Sequence, residues 1–228
     1  MKIYIFSIVF IFLFGLNSLA QKDFSDLLSL EDSIKSYSKM IYNENKDSSK
    51  LALNLKLLSF FQKALNNQAS FYFPFDSLKH ITKLTSPDNK LRFYIWAIEL
   101  SDKSFNYFGF LQYYNKNEKK FIYSGLLDNA RNSEKLELAI LNPDNWYGTL
   151  YYKILINKHR KKIYYTLLGW DGNNYMSRKK IIDVLYFNDD NKPCFGEPIF
   201  VMDKETKYRV IFEYSAEAVM LLVSYTHL

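Results

Sequence analysis

The sequence predicts an α+β protein: an N-terminal helical hairpin followed by an antiparallel β-meander, β-rich overall. Two observations carry this. Apolar residues recur at helical spacing over residues 28–66, and from Leu91 onward the period drops to two. Helices grouped ahead of consecutive strands, rather than alternating with them, argue against a parallel βαβ sheet.

The first helix is read from Leu30, Ile34, Tyr37 and Ile41, and Asn43-Glu44-Asn45-Lys46 makes the turn. Asp47 or Ser48 is expected to cap the second helix, where Leu51, Leu55, Leu58 and Leu65 form a stripe widened by Phe61. So short a polar connection between amphipathic helices implies an antiparallel pair whose stripes rest on something else. Strands are expected at 91–100, 105–114, 120–123, 146–156, 162–170, 180–187, 198–202, 208–214 and 219–225. All are rich in Tyr, Phe, Ile, Leu and Val, and most are joined by short clusters of Asn, Asp, Ser and Lys. Residues 131–142 read either as a strand, because Leu136, Leu138 and Ile140 alternate, or as a helical turn. No repeat at 40–50 residues accompanies the meander, which argues against a β-propeller.

Residues 1–20 carry the pattern of an export signal. Lys2 gives a positive start, 3–16 an apolar run, and Ser18 and Ala20 the small residues of a cleavage site. The run is shorter than the roughly 20 residues that span a bilayer, so no membrane span is expected after cleavage. The resulting division is a signal peptide at 1–20, a helical region at 21–85 and an antiparallel β domain at 86–228.

The chain has 228 residues, 30 basic and 24 acidic, for a net charge of +6. The basic residues are scattered, and His159-Arg160-Lys161-Lys162 and Arg178-Lys179-Lys180 fall where turns are expected. Richness in Lys, Asn, Ile, Tyr and Phe together matches AT-rich codon usage, so no nucleic-acid partner is predicted. Cys194 is the single cysteine, so packing rather than an internal disulfide holds the chain together.

Trp170-Asp171-Gly172-Asn173-Asn174 reads first as a tight turn, since Gly and Asn tolerate positive φ. A calcium site would need its oxygens together with Asp189 and Asp190, but the acidic density and closing Glu of known loops are missing. No metal or cofactor is therefore expected. An aromatic series on neighbouring strands offers either cross-strand packing or a stacking platform for sugars or peptides, with Trp146, Tyr151 and Trp170 as its candidate ligand-binding residues. A glycosidase would need two carboxylates on one cleft, and Glu99, Asp171, Asp183, Glu197 and Glu213 are the candidates. Asp183 shares a face with Ile181 and Leu185 and could instead pair with Arg209. No Ser-centred elbow, phosphate loop, paired metal-spaced His or CxxC is present.

The stretches Leu167-Leu168-Gly169-Trp170-Asp171-Gly172-Asn173-Asn174, Lys180-Ile181-Ile182-Asp183-Val184-Leu185, Phe195-Gly196-Glu197-Pro198-Ile199-Phe200 and Arg209-Val210-Ile211-Phe212-Glu213-Tyr214 resemble a family of exported Bacteroidetes proteins. The resemblance covers most of the chain after the signal and includes the segment from Ser86-Pro87-Asp88 to Trp96, where Asn89 stands in place of an expected Gly. It implies export and a β-rich fold, and no activity. It also implies truncation, because relatives continue with further strands; 223–228 reads either as native strand or as translated adapter sequence. The leading functional expectation is a non-enzymatic binding or structural domain of the periplasm or outer cell surface, with a glycan, peptide or envelope protein as partner. The alternative is a hydrolase of envelope or dietary polymers.

Overall fold

The computed structural model describes residues 3–222 apart from 132, 134, 161 and 203, with side chains from residue 21 onward. The reading of 223–228 as native strand or adapter sequence thus lies outside the described residues. Helix α1 spans Ile3–Asn43 and α2 spans Asp47–Asn66. Among the described residues no helix is long and apolar enough to cross a membrane.

The turn between the helices falls at 44–46, where Glu44 Oε1 accepts from the backbone N–H groups of Asn45 and Lys46 at 2.8 and 3.0 Å. The expected cap is not made. Lys46 occupies the N-cap without a side-chain bond, and the Asp47 carboxylate reaches across to the Ser101 backbone N–H and hydroxyl. The buried face of α2 is also rotated from the expected stripe: Asn54, Leu57, Phe61, Ala64 and Leu65 are inside, whereas Leu55 is 68% exposed. Asn54 explains the rotation, because its Oδ1 accepts from the Trp96 indole N–H at 2.8 Å and draws that side of the helix inward.

Four strands, β1 (Thr82–Thr85), β2 (Leu91–Glu99), β3 (Phe105–Asn115) and β4 (Lys120–Leu127), form an antiparallel sheet in sequence order. Then β5 (Leu150–His159), β6 (Lys162–Asp171) and β7 (Ser177–Phe187) meander into a second sheet. The free side of β7 is shared by β8 (Pro193–Phe195) and, further along, β11 (Val210–Ser215); β9 (Phe200–Met202) and β10 (Glu205–Lys207) make a separate hairpin. The structure is thus α+β, with antiparallel sheets following two helices.

The single meander expected from sequence is two sheets packed face to face. Their shared core holds Leu91, Phe93 and Ile95 from β2 against Tyr151, Leu167 and Ile181 from the second sheet. The alternate residues of β2, Tyr94, Trp96 and Ile98, face the helices and pack with Leu57 and Phe61. The rings of Phe61 and Trp96 stack at 5.5 Å. The first sheet is therefore a middle layer buried on both faces, which is why β2 reads as a continuous apolar run. The helical region and the β region consequently share a core.

Other boundaries moved. Arg178-Lys179-Lys180 lies within β7, paired to β11, and not at a turn. Among the described residues of 131–142 there are only the short 3-10 turn Leu136–Leu138 and a bridge from Leu141 to Phe195. The described part of the last expected strand, 219–222, is irregular. Asn89 adopts φ +53°, a left-handed conformation that a short polar side chain tolerates, so the turn closes without the expected Gly.

Candidate cleft at the end of the sandwich

Where the two sheets end together, their turns enclose a cleft of about 310 Å³. The first sheet contributes Lys90 ahead of β2, Tyr114 near the end of β3, and Lys116 and Asn117 from the β3–β4 turn. The second contributes Lys162 and Tyr165 of β6, Tyr186 of β7, and Asn188, Asp189 and Asn191 from the β7–β8 turn.

Both turns are built by asparagine. Asn115 Oδ1 accepts from the N–H groups of Asn117 and Glu118 at 2.9 and 3.1 Å, closing the backbone with a side chain as Asn does in turns. Asn188 Oδ1 accepts from Lys192 N–H at 2.9 Å, and the Asn188 carbonyl accepts from Asn191 N–H at 2.9 Å. Asn191 has φ +60° and its side chain lines the cleft at 8% exposure. Its amide nitrogen has no hydrogen-bond partner, although buried polar groups are nearly always satisfied.

Tyr165 anchors the floor. Its hydroxyl donates to Asp88 Oδ2 at 2.9 Å, joining β6 to the β1–β2 turn. Burial raises its pKa, and burial followed by the neighbouring Cys194 pushes Tyr186 up to about 12, so both phenols stay protonated donors at neutral pH. Lys90, Lys116 and Lys162 form no ion pair among the described residues. Asp189 is the one acidic residue on the described wall.

The residues predicted to bind ligand are scattered. Trp146 and Tyr151 are wholly buried between the sheets, the indole N–H donating to the Tyr151 hydroxyl at 3.1 Å. Neither presents a face to a ligand; they belong to the core, because Tyr151 points inward from β5 and Trp146 seals the joint beside β4. Trp170 alone is partly exposed. It lies on the opposite face of β6 from Asp171, cross-strand from Lys180, and that lysine sits over the ring of the 40% exposed Tyr152 at 4.7 Å.

The candidate carboxylates also go separate ways. Asp171, fully buried, accepts from the hydroxyls of Tyr147 and Tyr107 at 2.5 and 3.1 Å and pairs with Arg131 at 3.1 Å. Arg131 also reaches Asp128 at 3.3 Å; burial raises the Asp128 pKa, with Arg131 opposing. Burial likewise raises Asp183, which pairs with the fully buried Arg209 at 3.3 Å. Glu99 pairs with Lys103, Glu213 with Lys179 and the Ser177 hydroxyl, and Glu197 accepts from Tyr164 at 3.5 Å. None of the five lines the cleft.

The turn after Trp170 uses its oxygens internally. Asp171 Oδ1 accepts from Asn173 N–H, and Asn174 Oδ1 from Met176 and Ser177 N–H. Asn173, at φ +51°, takes the left-handed position. Gly172 serves a different need: a Cβ there would stand 2.3 Å from the Phe105 ring.

Sequence reasoning missed the cleft and the Arg131 cluster. The available signal was the density of Asn and Lys in two turns that share no sequence proximity. Compared with protein-family models, curated proteins and solved structures, the chain has no match in any of the three.

Proposed function

We propose that this chain is an exported, non-enzymatic binding domain of the cell envelope, and that its ligand seat is the cleft at the end of the sandwich. The carrying observation is a concave surface lined by Lys90, Lys116 and Lys162, which form no ion pair among the described residues, and by Asn117, Asn188 and Asn191. Concavity with a few convergent polar groups is the usual form of a ligand site. Binding rather than hydrolysis is supported by the carboxylates. Asp171 and Asp183 are buried against arginines, and the three others are engaged by Lys103, Lys179 and Tyr164. Export is supported by the composition of residues 1–20. The partner class is a glycan, a peptide or an envelope protein.

Glycan and peptide arrays test the reading, using the parent protein beside a Lys90→Ala, Lys116→Ala, Lys162→Ala variant. These lysines form no ion pair among the described residues, so their removal should weaken binding with little change in melting. Binding that survives the triple substitution, or that falls only in Trp170→Ala, would move the site off the cleft.

A further inference from the structure

We infer that the protein carries a second binding site, for a short apolar peptide in extended form, at a gap in the first sheet beside β1. This site is separate from the cleft at the end of the sandwich.

Hydrogen-bond directions along β2 define the gap. The Lys90 carbonyl accepts from Tyr114 N–H at 2.9 Å, and Leu100 N–H donates to the Ser104 carbonyl at 2.8 Å. Backbone groups of an antiparallel strand alternate sides, so the even-numbered residues of β2 point at β3 and the odd-numbered ones away from it. On that outer side the Leu91 carbonyl accepts from Ser86 N–H at 2.9 Å, and β1 begins only at Thr82, opposite Ile95. At the far end the Glu99 carbonyl accepts from the Lys50 ammonium at 2.6 Å. Between these points the N–H and C=O of Ala97 and the N–H of Glu99 face no strand among the described residues. Ala97 is also partly exposed, whereas Trp96 and Ile98 on either side of it are buried. Two donors and an acceptor along an open strand are what an added peptide main chain pairs with.

The surroundings give the guest its character. A cavity of about 250 Å³ opens at the gap. Ile41, Leu57 and Trp96 line it on the helix side, and Ile95, Ala97 and Leu150 on the side of the second sheet. A strand laid along Ala97 turns alternate side chains to these two walls. Both walls are apolar, so consecutive residues of the guest must be apolar, as they are in β2 itself. The volume lies below the roughly 300 Å³ at which sites for drug-sized molecules begin, and it suits side chains of a chain that continues outside. At the mouth the 72% exposed Tyr42 stacks on His80 with ring centroids 4.5 Å apart. Walls from α1 and β5 leave a recess for one strand, whereas a second copy would have to bring a whole sheet edge into it.

The test uses the purified protein and three fluorescein-labelled peptides read by anisotropy: Ser-Val-Val-Val-Ser, the same peptide N-methylated at its three valines, and Ser-Ser-Ser-Ser-Ser. The valine peptide should bind at least about tenfold tighter than its N-methylated form, which lacks the main-chain donors. Amide exchange followed by NMR should slow at Ala97 and Glu99 in the complex. Ala97→Pro removes an N–H that β3 does not use, and Pro is tolerated where a strand N–H faces outward. It should weaken binding about three- to tenfold, as for one lost hydrogen bond. Tyr42→Ala, at an exposed position, should weaken binding several-fold at unchanged melting temperature.

Equal binding of the N-methylated peptide, or unchanged exchange at Ala97 and Glu99, would overturn the strand pairing and with it the inference. Equal binding of the serine peptide would overturn the apolar assignment. Exchange at Ala97 that slows with rising protein concentration alone would overturn the inference in favour of a second copy. The Lys90→Ala, Lys116→Ala, Lys162→Ala variant should bind the valine peptide as the parent does. A loss there would place the peptide in the end cleft instead, which overturns this site and leaves the functional reading of the cleft standing.

Discussion

Replacing Arg209 with Leu removes the one cation that pairs, among the described residues, with Asp183, a carboxylate sealed in the core. Arg209 is fully buried, with its Nε 3.3 Å from Asp183 Oδ1 in an ion pair that is not aligned as a hydrogen bond. Its guanidinium also donates to the carbonyls of Leu136, Ala139 and Phe195, the last two at 3.0 Å. One side chain thus ties β7 and β8 to the 3-10 turn. An uncompensated buried charge costs about 3–5 kcal/mol, and each orphaned carbonyl that stays dry adds about 1–3 kcal/mol. For a protein of this size 1 kcal/mol is about 2–4 °C, so the stranded charge alone should lower the melting temperature by about 6–20 °C. Adding Asp183→Asn removes the stranded charge, and thermal melts should show the double variant recovering a large part of the loss. The pH dependence has a definite sign. Burial already holds Asp183 above the ordinary carboxylate range, with Arg209 opposing, so losing Arg209 raises it further. Between the unfolded and folded pKa values the folded state keeps a proton that the unfolded chain has released, and stability falls as pH rises through that window. The deficit of Arg209→Leu should therefore be smaller at acidic than at neutral pH. A single variant melting within about 3 °C of the parent, or a double variant no better than the single, would refute the reasoning.

Other outcomes follow from the same geometry. Trp146→Ala should lower stability in urea unfolding by about 3–5 kcal/mol as a core truncation, while the partly exposed Trp170→Ala costs clearly less. Asn54→Ala strands the Trp96 indole N–H between helix and sheet, and should cost about 1–3 kcal/mol in the same assay. Gly148→Ala would place a Cβ 2.3 Å from the Asp128 carboxylate, which must leave the Gly148 N–H and Arg131; chemical denaturation should show a loss of about 1–3 kcal/mol.

Periodicity made the helical hairpin and most strands legible. The break at 44–46 and the starts of β2 at Leu91 and β6 at Lys162 were visible, whereas β5 runs to His159, three residues past the expected end at 156. The short strands β1, β8 and β10 were not, since three or four residues carry too little pattern to register. The buried face of α2 was misread because an aliphatic stripe says nothing of Asn54, which enters the core only through a hydrogen bond to a strand more than 40 residues away. The Asp183–Arg209 pair had been one of two readings for Asp183, and the structure places the two side chains together.

The sequence by itself determined the local geometry: helices before strands, antiparallel connections, turns built on Asn, Asp and Gly. These follow from side-chain spacing and backbone preference within a few residues. Only the tertiary structure decided how the strands divide into two sheets, and that the first becomes a middle layer with two buried faces. It alone sent Trp146 and Tyr151 to the core and left Lys90, Lys116 and Lys162 around one opening. Whether an aromatic residue on a strand faces a ligand or a second sheet depends on what is stacked above it. That is a contact between segments far apart in the chain, and alternation along one strand assigns a face without revealing what covers it.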